Sequence, residues 1–217
     1  MTKKEKRRWW AKRILTYSLG LVIMAFGIAM TLRAYLGNAP GGVIPYAVSF
    51  FVPLTIGQCT ASFHVFCITT QIIITRRPTI KHAFQLPMAY VNGLLLDFFY
   101  GILDIPLPSI FHQIMFVVAA MLVFSLGIRA IVGANLILVP PDGLARTVGN
   151  IFGWPMSKAK LAFDIAATTI AILITLIFSG KAFLAVGVGT LITAIGTGPL
   201  IGLFTKIFPF LDAEKKE

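Results

Sequence analysis

Leu32-Arg33-Ala34-Tyr35-Leu36-Gly37 and Ile128-Arg129-Ala130-Ile131-Val132-Gly133 are two versions of one phrase. A proline-glycine element follows each, Ala39-Pro40-Gly41-Gly42 in the first half and Pro140-Pro141-Asp142-Gly143 in the second. Pro-x-hydroxyl comes next, as Pro53-Leu54-Thr55 and Pro155-Met156-Ser157, and a long apolar run follows each. The run after that opens with Lys81-His82-Ala83-Phe84 in one half and Lys181-Ala182-Phe183 in the other. The chain is therefore a duplication of a unit of roughly 100 residues. In a membrane protein such a duplication points to a pathway built where the repeats meet.

Composition supplies the membrane. Hydrophobic residues make up 57% of the chain and charged residues 12%, against about 25% charged in a soluble domain. Six stretches reach the length of about 20 helical residues that crosses a bilayer core. They lie near 14–36, 55–75, 83–103, 113–134, 158–179 and 182–205. The fold class expected is all-α: six transmembrane helices as 3+3 inverted repeats, each with a half-helix or re-entrant Pro-Gly segment. The expected units are a basic N-terminus (1–13), a first repeat (14–111), a second, inverted repeat (112–206) and a tail (207–217). Three spans per repeat is odd, so the second copy enters from the opposite side.

Charge sets the orientation. Sixteen of the nineteen Lys and Arg fall in the N-terminus, the second-to-third connection, the fourth-to-fifth connection and the C-terminus. Lys158 and Lys160 are counted with the fourth-to-fifth connection, and Lys215 and Lys216 with the C-terminus. Arg33 and Lys181 flank the other side, and Arg129 lies within a span. Both termini are then expected in the cytoplasm, with an even number of spans. The net charge of +11 reports topology and anionic lipid heads rather than nucleic acid. Trp9 and Trp10 suit an interfacial anchor beside the basic start. The first apolar run exceeds a signal-peptide core and is expected to be retained. Cys59 and Cys67 sit eight apart on one helix, too far to bond to each other, and read as packing residues.

Residues 41–52 and 142–152 are too apolar for an ordinary solvent loop and too short to span. They read as half-helices or re-entrant segments, or else as amphipathic helices in the interface. Pro40 and Pro141 suit a helix start, and Asp142 suits an N-cap. Exposed N–H groups at such starts favour an anionic ligand. Arg33 and Arg129 at repeated positions read either as snorkelling cations or as one shared binding device. Asp97 and Asp164 are the acidic residues inside apolar spans, either paired with an arginine or acting as proton acceptor or cation ligand. Thr55-Ile56-Gly57-Gln58 fits a capping box, which gives Gln58 a structural role beside a binding one. His64 is a lone titratable group within a span, weak evidence by itself. Ala185, Gly189, Thr193 and Thr197 form a ladder of small residues, suited to close helix packing or to one wall of a path.

Pro140-Pro141-Asp142-Gly143-Leu144, Gly187-Val188-Gly189-Thr190-Leu191 and Ile195-Gly196-Thr197-Gly198-Pro199-Leu200 resemble the second half of the YczE family of bacterial membrane proteins, which is related to the YyaS and YitT groups. The first half is similar in Ala34-Tyr35-Leu36-Gly37-Asn38-Ala39-Pro40 and Thr55-Ile56-Gly57. The family pattern carries an aromatic-acidic pair after the first proline and an arginine before the aspartate; Gly41-Gly42 and Pro141 stand there in this chain. The resemblance implies an integral protein of a bacterial inner membrane, of a family often taken to be transporters, and transfers no binding residue.

The expected function is a small secondary transporter of a polar, anion-bearing metabolite, with a midplane site at the repeat interface. Its candidate residues are Arg33, Asn38, Gly41, Gly42, Gln58, Asp97, Arg129, Asp142, Gly143, Asp164, Gly189 and Thr193. A passive channel of aquaporin-like plan and a membrane adaptor without flux are the alternatives, although Asn38-Ala39-Pro40 is not an Asn-Pro-Ala signature. No zinc spacing, nucleophile elbow or phosphate loop is present, so neither an enzyme nor a cofactor is expected. The partners expected are the small-molecule substrate, the lipid bilayer and a second copy in a homodimer.

Overall fold

A computed structural model describes residues 2–212; Lys215 and Lys216 lie outside them. The described residues form eight α-helices and two 3-10 turns. In chain order the helices are α1 (Lys3–Arg33), α2 (Val43–Ser49), α3 (Ile56–Thr75), α4 (Ile80–Ile102), α5 (Ile110–Ala134), α6 (Pro140–Ile151), α7 (Met156–Ser179) and α8 (Val188–Ile207). The 3-10 turns are Pro40–Gly42 and Pro209–Leu211. The order long, short, long, long thus occurs twice.

The short helices stand where the two Pro-Gly elements placed them. Pro40 opens the turn that leads into α2. Pro140 and Pro141 fill the first two positions of α6, where a missing N–H costs nothing. Asp142 lies in the first turn of α6 rather than at its N-cap, which is Val139. Two boundaries differ from expectation. The basic start is not separate from the first span: Thr2 and Glu5 form a capping box, and α1 runs unbroken from Lys3. At 31 residues it is about 46 Å long, well beyond a bilayer core. The last helix begins at Val188, because residues 182–187 run as a loop that the segment after α1 holds.

The interior is made of small residues. Ala25, Ala29, Ala47, Ala120, Ala171 and Ala185 are fully buried. Ile80, Ile177, Phe183 and Ile195 are more than 70% exposed. Water would reverse that distribution; lipid, as apolar as leucine, rewards close backbone packing instead. The α1–α5 crossing shows it, for a Cβ at Gly27 would sit 2.6 Å from the Phe124 nitrogen.

Helices α1, α5, α7 and α8 are long and apolar enough to cross a membrane. Helices α3 and α4, of 20 and 23 residues, match them in length but are more polar. Their polarity is directed inward: His64, Gln71, Gln85 and Asn92 are buried, while Val65, Phe66, Ile73, Phe84, Leu94 and Phe98 are exposed. The short helices knit the halves together, since α2 and α6 each pack against both α3 and α7.

Candidate functional site

Most of the polar residues singled out in the sequence hold helix ends. Arg33 donates from Nε and Nη2 to the Tyr100 carbonyl at 3.0 and 2.6 Å, and its guanidinium lies 4.0 Å over the Tyr100 ring. Tyr100 is in the last turn of α4, whose carbonyls lack partners within the helix. Arg129 does the same for α8. It is 1% exposed, donates to the Phe208 carbonyl at 3.1 Å and pairs with Asp212 at 3.0 Å. The two arginines therefore share one task, neutralising the negative end of the last helix in each half.

Asp97 works at the opposite pole. Its carboxylate accepts from Thr55 Oγ1 at 2.5 Å and from the Gly57 N–H at 2.7 Å. Both donors lie at the start of α3, so Asp97 ties α4 to the positive end of its neighbour. Gln58 completes the expected capping box: Thr55 N–H donates to Gln58 Oε1 at 3.0 Å, and Gln58 N–H to Thr55 Oγ1 at 3.1 Å. Asn38, 3% exposed, accepts from the Ala39 N–H at 2.8 Å and donates to the Gly42 carbonyl at 3.1 Å, closing the first Pro-Gly turn. The Gly189 N–H donates to the Leu36 carbonyl at 2.8 Å, docking α8 on the segment after α1. Thr193 Oγ1 bonds back to the Gly189 carbonyl, also at 2.8 Å.

Gly41, Asp142, Gly143 and Asp164 remain, and the structure brings Gly41, Asp142 and Asp164 together around a side chain that the charge count placed with a connection. Lys160 is in α7, not in a loop. Its ammonium donates to Asp164 Oδ1 at 2.6 Å and pairs with Asp142 Oδ1 at 3.2 Å. A Cβ at Gly41 would meet the same nitrogen at 3.5 Å. One cation thus touches the first turn of α6 and the Pro40–Gly42 turn, the two Pro-Gly elements of the duplication. The Lys160–Asp164 spacing of four residues was the signal available in the sequence.

The three side chains are between 22% and 33% exposed. Charged groups among apolar helices normally face one another or a polar cavity rather than acyl chains, and here they face one another. On the other side of the first turn of α6 stand two buried amides. A Cβ at Gly143 would lie 2.6 Å from Gln71 Oε1 and 3.1 Å from Gln85 Nε2. Gln71 donates to the Pro140 carbonyl at 3.2 Å and Gln85 to the Leu138 carbonyl at 3.0 Å, fixing the entry to α6. Gln85 Oε1 and His64 Nδ1 are buried without a hydrogen-bond partner. Among the described residues there is no group of His, Cys, Asp and Glu able to hold a metal ion.

Comparison with known proteins agrees with a membrane assignment. The chain is 26% identical over 194 residues to the uncharacterized membrane protein YczE of Bacillus subtilis (strain 168), a match covering 85% of this chain and 81% of that one. No solved structure matches it. The resemblance to YczE read from the Pro-Gly and glycine motifs is thereby shown, and the protein is a multi-pass membrane protein. A family model matches residues 11–206, and the chain belongs to that family, described as a family of unknown function (DUF6198).

Proposed function

We propose that this protein is a small secondary transporter for a polar metabolite, with its site where the two Pro-Gly elements meet at Lys160. The observation that carries the reading is the Asp142–Lys160–Asp164 bridge, charged, partly exposed and adjacent to Gly41. Helix starts interrupted by proline and gathered about one charged group are how broken-helix transporters hold polar cargo inside a bilayer. In this reading all six long helices span, α3 and α4 included, since their polar residues are covered by protein. The two halves then run in opposite directions through a bacterial inner membrane, with both termini in the cytoplasm.

The anionic group expected of the substrate has Lys160 as its cation, because Arg33 and Arg129 are committed to carbonyls. Uptake by the purified protein in liposomes, screened over small organic acids and amino acids, tests the reading. The expected result is saturable uptake driven by an imposed gradient and abolished by Lys160→Met. Flux that rises linearly with concentration and ignores gradients would establish a channel. Absence of any flux, with a stoichiometric protein partner on purification, would establish an adaptor.

A further inference from the structure

Helices α3 and α4 run antiparallel and come together at two levels. At one, a Cβ on Gly93 would meet the Ala61 Cβ at 3.2 Å. At the other, the Gln71 and Gln85 amides meet around Gly143. His64 on α3 and Asn92 on α4 lie between. Counted from the Ala61–Gly93 contact toward the glutamines, His64 is three residues along its helix and Asn92 one along its own. At a rise of about 1.5 Å per residue their levels differ by only about 3 Å. Both are buried, His64 at 5% and Asn92 at 2% exposure, while Val65, Phe66, Val91 and Leu94 beside them are exposed. The two polar side chains therefore point into the seam between the helices rather than out to lipid.

Neither finds a partner there. His64 Nδ1 and Asn92 Oδ1 are buried without a hydrogen bond. Turning the Asn92 amide over would exchange the orphaned atom without removing it. Gln85 repeats the condition two turns along the same face of α4: its Nε2 is held by the Leu138 carbonyl and its Oε1 is left over. Three of the six buried polar side-chain atoms without a partner among the described residues thus belong to this one seam. Each such atom carries an uncompensated desolvation cost, and folded proteins rarely gather several in one place with nothing to meet them.

The seam also defines what would satisfy it. Residues 61–71 of α3 and 85–93 of α4 include no charged side chain, so an ion entering here would be buried without a counter-charge. The amide oxygens of Asn92 and Gln85 require a donor. A neutral imidazole presents either a donor or an acceptor at Nδ1, according to its tautomer. A neutral group that both donates and accepts answers all three.

We infer that the α3–α4 seam binds such a group between Asn92 and His64: water, or the hydroxyl or primary amide of a small uncharged solute. The inference is independent of the transporter reading, and a failure of liposome uptake leaves it untouched.

The test is magic-angle-spinning NMR of the isotope-labelled full chain in lipid bilayers, with polarisation passed from water to protein. His82 and His112, near the starts of α4 and α5, are the internal references. If the occupant is water, the His64 ring and the Asn92 amide receive polarisation as quickly as those references, and Asn92→Leu removes the transfer to His64. If it is a solute, the wild type shows no transfer, and glycerol or acetamide raises its thermal unfolding midpoint saturably in nanodiscs while Asn92→Leu does not respond. His64→Phe, with the Asn92 amide as reporter, is the second variant should Asn92→Leu not fold. Three results overturn the inference: transfer to His64 undiminished in Asn92→Leu, neither transfer nor a solute response in the wild type, and a solute response shared equally by wild type and variant.

Discussion

Helices α3 and α4 close on one another, whereas their counterparts in chain order, α7 and α8, have no comparable contact. The first pair meets backbone to backbone: a Cβ at Gly57 would fall 2.1 Å from the Gly93 carbonyl oxygen and 2.5 Å from the Asp97 carboxylate. The second pair is splayed, and on α8 nothing lies within 4 Å of a Cβ at Gly198 or Gly202. The carboxylates follow the packing. Asp97 is in the closed pair and is consumed in capping α3. Asp164 is in the open pair and binds Lys160 instead. A carboxylate within an apolar helix therefore has no fixed meaning; what packs beside its helix decides whether it caps or binds. The two halves share the arginine device and differ here, so the second half holds the charge that the proposed site uses.

The harshest test of the contrast is a side chain at the closed crossing. Gly57→Leu has no space to occupy and must part α3 from α4. Overpacking costs typically 1–3 kcal/mol, and a backbone clash stands at the upper end, about 3 kcal/mol. The measurement is the denaturant midpoint in detergent. A variant as stable as the wild type would mean that the two helices are not in contact in the bilayer.

Next comes the device that the halves share. Arg129→Gln removes the charge-assisted bond of a fully buried guanidinium to a part-buried carbonyl and its pair with the half-exposed Asp212, a loss of about 2 kcal/mol. Arg33→Gln removes bonds to a part-buried carbonyl and a stacked ring, a loss of about 1 kcal/mol. The order of the two matters more than either value. Equal losses, or a larger one at Arg33, would show that burial does not set the strength of this cap. Neither variant is expected to abolish uptake, since neither arginine belongs to the Lys160 bridge.

Much of this was legible before any coordinates. The Pro-Gly elements with their short apolar sequels announced α2 and α6, and Thr55 with Gln58 announced the start of α3. These are local signals, written within four or so residues. The partners of Arg33 and Arg129 were not legible, because a backbone carbonyl has no residue type to read. Lys160 was hidden differently: it fell at the start of the fifth expected span but was counted with the charges of the connection before it, and only the bundle shows that Asp142, eighteen residues earlier, reaches it. Its reassignment leaves fifteen of the nineteen Lys and Arg in the segments expected to face the cytoplasm.

A smaller effect tests Asp97 as a cap. Asp97→Asn keeps the shape but weakens both acceptor bonds at the start of α3. The expected cost is about 1 kcal/mol, the scale of a lost N-terminal cap. Liposome uptake should be unchanged, since Asp97 belongs to the closed pair. If Asp97→Asn instead abolished uptake while Asp164→Asn spared it, the roles assigned to the two carboxylates would be exchanged.

The smallest effect is expected where the second pair stands open. Gly198→Leu and Gly202→Leu add side chains to an exposed face of α8 where nothing lies within 4 Å. In a lipid-facing position the added methylenes meet acyl chains as apolar as themselves, so neither gain nor clash follows. The change in unfolding free energy should stay within about 0.5 kcal/mol, as for surface substitutions remote from any structural device. The paired measurement is the mass of the protein in detergent, because a stretch of exposed glycine on a membrane helix is also where another helix approaches closely. Unchanged stability and unchanged mass would leave α8 facing lipid and make the splayed pair a property of the single chain. A clear loss of stability together with a lower mass would show that a second copy covers this face, and that the contact α7 and α8 lack within one chain is completed between two.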